Sequence, residues 1–158
     1  RVRVLGVVVD AVDEIMHGMT LGTRGLHSQV ESWQEHGLLG ELFHRLLASG
    51  FEIFVTADHG NIEARGAGRV AQGVLAETRG ERVRLYSDQA LYRSTLSQLQ
   101  GRGVPGATTG LPDGRYPLYA AGRSAFVDDG DIIVAHGGAC IEEVIVPFVQ
   151  VSRRVALP

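Results

Sequence analysis

Phe51-Glu-Ile-Phe-Val-Thr-Ala-Asp-His-Gly-Asn61 is an apolar run that empties into an aspartate, a histidine and a glycine. A short β-branched and aromatic run of this kind reads as a strand. Directly upstream, Leu38, Leu39, Leu42, Phe43, Leu46 and Leu47 recur at helical spacing, and Ser49-Gly50 closes the stripe. That pattern predicts a helix ending just before the strand. The stretch from Arg24 to Gln34 predicts another helix, with Trp33 turned inward. Farther upstream, Val4 to Val9 is a continuous apolar run, expected to form a strand buried on both faces. Strand, helix and strand in this order make a βαβ unit, so the expected class is α/β with a mostly parallel sheet and flanking helices.

Downstream the pattern is more broken. Asn61 to Leu75 is rich in Gly, Ala and Arg and reads as a loop, while Arg82 to Tyr86 predicts a strand. Asp88 is placed to cap a helix running to about Gln100, with Leu91, Leu96 and Leu99 inward. Gly101 to Gly114 has loop chemistry. Pro117 to Ala121 and Asp131 to Ala135 predict short strands, and Pro147 confines a strand over Val144 to Val151 to an edge or a bulge.

The 158 residues fit one domain, and 44% hydrophobic with 21% charged residues excludes a disordered chain. A net charge of −3 gives no steering toward nucleic acid or an anionic membrane. Cys140 has no cysteine partner, which suits a reducing compartment. The apolar runs are too short to span a bilayer, and no signal segment opens the chain, so a cytoplasmic domain is expected. The start, Arg1-Val-Arg-Val4, enters a core-like strand without a lead-in, which reads as part of something longer. Residues 153–158 read as a tail leaving the fold.

Three predicted strands run directly into metal-ligand residue types. The first leads to Asp13 and His17, the second to Asp58 and His59, the third to His136. In a parallel sheet the carboxyl ends of strands share one edge, and sites lie in the crevice there. Imidazole nitrogen and carboxylate oxygen are ordinary ligands of zinc and also serve manganese. Gly60, after the Asp-His pair, would supply an unusual backbone angle. His27, His36 and His44 lie in polar or helical stretches and read as surface residues, and Cys140 reads as a small buried residue with no base beside it.

Thr56-Ala-Asp-His-Gly-Asn61 resembles the metal-binding strand end of the alkaline phosphatase superfamily, and Asp13-x-x-x-His17 resembles its preceding metal motif. The most specific piece is His136-Gly-Gly-Ala-Cys-Ile-Glu-Glu-Val-Ile-Val-Pro-Phe148, which resembles the closing motif of PglZ domains of bacterial phage-defence (BREX) systems. Arg115 to Phe126 is similar to that family as well. The resemblance implies an alkaline-phosphatase-like fold, with residues 1–152 as the C-terminal portion of the domain. It implies two divalent ions, zinc first and manganese second, one on Asp13, His17 and His136 and the other on Asp58 and His59.

The resemblance also implies an upstream nucleophilic Ser or Thr and a further aspartate, so no catalytic residue is assigned within this chain. The expected parent is a metal-dependent phosphatase or phosphodiesterase, a hydrolase of phosphate ester or nucleotide substrates, with the isolated chain inactive. Other phage-defence proteins are the expected partners, and an exposed sheet edge would favour self-association of the chain. The alternatives are a non-catalytic scaffold of the defence system and a phosphoglycerate-mutase-like enzyme. Arg65 and Arg69, in the predicted loop, are candidates for neutralising a bound phosphate. Glu142 and Glu143 have no evident metal role, and capping the turn after Gly138 accounts for them equally well.

Overall fold

A computed structural model describes residues 2–17, 19, 21–70 and 76–153. The tail expected over 153–158 therefore lies almost wholly outside the described residues. In chain order the elements are α1 (Ala11–His17), α2 (Gly22–Glu35), α3 (Leu38–Ala48), β1 (Ile53–Thr56), β2 (Ile62–Gly66), β3 (Ala76–Arg79), β4 (Val83–Tyr86), α4 (Gln89–Gln98), β5 (Gly103–Pro105), β6 (Tyr116–Ala120), β7 (Ser124–Ala125), β8 (Ile132–Ala135), α5 (Ile141–Val144) and β9 (Phe148–Val151).

Most helices stand where the pattern put them. The α4 helix starts at Asp88, whose Oδ1 accepts a hydrogen bond from the Leu91 amide at 2.7 Å. Its inward face, with Leu91, Tyr92, Leu96 and Leu99, packs on Tyr86 of β4 and Leu118 and Ala120 of β6 to form one core. A second core joins Met16 of α1, Met19, Leu26 of α2 and Val134 of β8. This second core matters for function, because it seats α1 against the strand that precedes His136.

The mostly parallel sheet is not what forms. Strands fall into three small sheets, ordered β1-β9, β7-β2-β8 and β3-β4-β6-β5. Among the described residues only β2 and β7 pair in parallel, through Arg65↔Ser124 and Gly66↔Ala125. The reason lies at Val4 to Val9. A βαβ unit needs its first strand seated in a sheet, and this segment forms no strand and has no ladder partner among the described residues. Val4 is 88% and Val8 92% exposed. The partner of β1 is instead β9, antiparallel, with Ile53↔Val151 and Thr56↔Phe148 in register. The Thr56 hydroxyl donates to the Pro147 carbonyl at 2.8 Å, just outside the ladder, so the proline sits at the strand's start. The residues before it divide differently from expectation, since Val144 belongs to α5.

The α3 stripe is real but buries no residue. It faces an open cleft of about 710 Å³, lined among others by Val7, Val9, Trp33, Leu42, Phe43 and Phe54. Trp33 is half-buried there.

Two predicted loops contain strands. Within Asn61 to Leu75, residues 62–66 form β2, with Ile62, Ala64 and Gly66 inward and Glu63 and Arg65 outward. The alternation was disguised because two of its three inward positions are Ala and Gly. A Cβ at Gly66 would lie 1.8 Å from the Asp128 carbonyl oxygen, so the close approach of the backbones requires glycine. Residues 71–75 of that segment lie outside the described ones. Within Gly101 to Gly114, β5 pairs antiparallel with β6.

Candidate metal centre

The register of β2 against β8 builds the site. Ile62 pairs with Ala135, antiparallel, so the residues just before β2 lie beside those just after β8. Those residues are Asp58-His59-Gly60 and His136-Gly137-Gly138. The His59 and His136 rings accordingly stack at 3.8 Å between centroids, with planes 11° apart. The α1 helix approaches from the side. Its Asp13 and His17, one turn apart, share a face, with His17 Nε2 3.4 Å from Asp13 Oδ2. Asp13 Oδ1 lies 3.8 Å from His136 Nε2. Asp13, His17 and His136 each offer a ligand atom, all within 4.8 Å of one another. Convergence is thus achieved by an antiparallel pair plus a helix, not by a shared edge of parallel strands.

The donor chemistry fits a divalent ion. Two imidazoles and a carboxylate form a mixed nitrogen and oxygen set suited to zinc and acceptable to manganese. His136 is held below its ordinary value by burial and then by His59 and His17, against the opposing charges of Asp13 and Glu81. Its neutral form, the one that ligates metal, is therefore favoured. His59 Nδ1 lies 3.1 Å from the Gly60 carbonyl, which can only accept, so in this contact Nδ1 is the donor.

Asp58 stands apart from this cluster. Its side chain is 90% exposed, 3.8 Å from His59 Nε2, and its Oδ1 accepts from the His59 amide. Three of the five predicted ligands thus come together, His59 lies against them, and Asp58 points to solvent beside them. His27, His36 and His44 are exposed on or beside α2 and α3. Arg65 and Arg69 lie toward the far end of β2 from the cluster. Arg69 makes a bidentate contact with Asp128, Nε at 2.7 Å and Nη2 at 3.1 Å.

Gly60 has an ordinary φ, so the expected need for an unusual backbone angle is not the reason for a glycine here. The reason is closeness. Its amide donates to the Glu143 carbonyl at 2.8 Å, and a Cβ would fall 2.0 Å from the Glu142 carbonyl oxygen. Gly60→Ala is therefore expected to push the Asp58-His59 loop off α5, at roughly 1–3 kcal/mol of stability. Denaturant titration of the variant reads this, and an unchanged midpoint would show that the loop shifts freely.

Sequence reasoning missed Arg82, which sits at the head of a predicted strand yet is 0% exposed, paired with Glu143 at 2%. Arg82 Nε and Nη2 reach the two Glu143 oxygens at 3.0 and 2.7 Å. The carboxylate also accepts from the Gly138 and Cys140 amides at 2.8 and 3.0 Å, so Glu143 does cap the turn after Gly138. Cys140 is half-buried at the start of α5, its thiol donating to the Gly122 carbonyl at 3.2 Å. Glu142 pairs with Arg123 at the surface.

Burial opposes ionisation of Glu143, but the Arg82 and amide hydrogen bonds outweigh it and hold the carboxyl below its ordinary 4.5. A depressed folded value means that this group's stabilisation is fully present above pH 4.5 and lost as pH falls through the folded value. The difference in melting temperature between the parent chain and Glu143→Gln is thus expected to narrow on acidification below about pH 4.5. A difference that stays constant down to about pH 3 would show that the ionised form does not matter.

A family model described as the BREX system PglZ alkaline phosphatase-like domain matches residues 1–151. No curated protein matches the chain.

Proposed function

The chain belongs to the PglZ family, the alkaline phosphatase-like domains of BREX systems, and on that premise we propose that it is the metal-binding part of a phosphatase or phosphodiesterase acting in phage defence. The observation that carries the reading is the convergence of Asp13, His17 and His136. These three would hold one divalent ion, zinc before manganese, and His59 with Asp58 would serve a second beside it. When bound, such ions supply Lewis acidity toward a phosphoryl oxygen and lower the pKa of water.

The residues themselves prepare the site. Burial and neighbouring imidazoles favour the neutral form of His136, whose lone pair is the ligating one. Asp13 brings the negative charge that offsets a cation, and its two oxygens face one imidazole each. The β2–β8 register fixes where His59 and His136 stand before any ligand arrives. No residue of this chain is assigned as nucleophile. Among the described side chains, the Thr56 hydroxyl is engaged by the Pro147 carbonyl.

The test is hydrolysis of chromogenic phosphate mono- and diesters by the protein in its full-length form, before and after chelation. Activity lost on chelation and regained with zinc or manganese is expected. Activity indifferent to chelation would sink the reading.

One observation favours a further, assembling role. Phe54 of β1 and Phe148 of β9 stack at 5.5 Å between centroids on an exposed face, with Phe148 73% exposed. Exposed apolar surface of this kind marks association sites, and a second copy of the chain or another defence protein would cover it. The isolated chain is expected to sediment faster as concentration rises, whereas one monomeric species at every concentration would remove this role. No helix among the described residues is long and apolar enough to cross a membrane.

A further inference from the structure

Glu143 grips both ligand-bearing loops. Its carbonyl accepts from the Gly60 amide at 2.8 Å, next to His59. Its carboxylate accepts from the Gly138 amide at 2.8 Å, two residues beyond His136, and from Cys140 at 3.0 Å. Arg82 clamps that carboxylate from the other side, and its Nη1 donates to the Ser124 carbonyl at the start of β7. The Arg82 carbonyl in turn accepts from Ala120 at the end of β6. The clamp therefore ties the site to two sheets. Each Glu143 carboxylate oxygen has two donors, and a buried network so fully satisfied is rigid.

The space around the clamp leaves no slack. A Cβ at Gly138 would lie 2.5 Å from Arg82 Nη2 and 2.6 Å from Glu143 Oε2. Gly137, at φ +97°, turns the chain out of β8 against Val83, where a Cβ would come within 3.1 Å of a methyl group. Gly138 is thus fitted closely against this ion pair, and Gly137 against Val83.

We infer that Glu143, held by Arg82, is a positioning residue for the metal centre, keeping the His59 and His136 loops at the spacing at which their rings stack. The inference rests on the metal reading above, and its test separates the two. A buried ion pair can often be exchanged for apolar side chains of similar volume with little loss of stability. The variant Arg82→Met/Glu143→Met therefore keeps packing while deleting both carboxylate acceptors. Glu143→Gln is the milder companion, since its amide sets two donors against those of Arg82 and the loop amides.

Zinc affinity by competition with a chromogenic chelator is measured for all three chains, beside the imidazole proton resonances of the metal-free forms. Ordered residues behind metal ligands are worth about 10- to 100-fold in affinity. The Met/Met variant is expected to stay folded with a lowered melting temperature, because the Gly138 and Cys140 amides lose their acceptor, to bind zinc at least about tenfold more weakly, and to lose the ring-current shifts of the stacked imidazoles. Glu143→Gln is expected to move both readouts in the same direction. Parental affinity and parental resonances in a folded Met/Met variant would overturn the inference and leave the pair a purely structural one. If the parent chain binds no zinc, the metal reading fails, and the imidazole resonances alone decide. Displaced resonances in the variants then uphold the positioning role, and unmoved ones overturn it.

Discussion

Alanine in place of Asp13 or of His136 is expected to leave a folded chain that no longer holds the divalent ion assigned to Asp13, His17 and His136. Structural zinc sites with four ligands are worth about 10–16 kcal/mol, so one ligand carries on the order of 3 kcal/mol, or roughly two orders of magnitude in affinity. A cluster of three has little reserve, and losing one leaves a pair that water outcompetes. The cost to folding is smaller. The Asp13 and His17 side chains are about half exposed, and exposed pairs contribute less than about 1 kcal/mol. His136 is more enclosed, so His136→Ala is the variant for which a melting curve must accompany the titration. Asp58→Ala makes the informative contrast. With a second ion on Asp58 and His59, it removes one equivalent of metal and spares the other. Zinc retained at full stoichiometry by Asp13→Ala would show that α1 does not belong to the site.

Much of this centre could be read from residue types at the ends of apolar runs, but for a partly mistaken reason. Asp13, His17, Asp58, His59 and His136 were singled out because each follows a predicted strand. The expected device was a parallel sheet whose carboxyl ends share an edge. The observed device is an antiparallel ladder, Ile62↔Ala135, that sets the start of one strand against the end of another. Sequence shows which residues leave a strand, but strand direction depends on partners distant in the chain. The segment from Val4 to Val9 illustrates the same limit, since a continuous apolar run states that burial is favourable and not what would provide it. Helices were easier because their period and caps are local. The Asp88 cap and the Leu91, Leu96 and Leu99 face of α4 stand as read. β2 was missed because its inward positions after Ile62 are Ala64 and Gly66, and small residues carry almost no hydrophobic alternation.

Arg82 was invisible for a related reason, and it carries the largest effect expected on folding. An arginine at the head of a strand reads as a solvated side chain, because isolated charges are rarely fully buried. The exception is a charge whose partner arrives from elsewhere in the chain, here Glu143, sixty-one residues later. Arg82→Ala would leave that carboxylate buried beside two loop amides with its countercharge gone. Removing one partner of a buried pair typically costs about 3–5 kcal/mol, more than the intact pair contributes over an apolar replacement. In a domain of this size each kcal/mol lowers the melting temperature by about 2–4 °C, so a drop of roughly 6–20 °C is expected. Arg69→Ala supplies the control. That side chain also makes a bidentate contact, with Asp128, but both partners lie mostly in water, and no measurable loss is expected. The two arginines share the bidentate carboxylate contact but differ in burial, and Arg82 adds a bond to the Ser124 carbonyl. A melting temperature for Arg82→Ala within a degree or two of the parent would mean that water reaches Glu143 in solution, and the rigid clamp behind His136 would have to be abandoned.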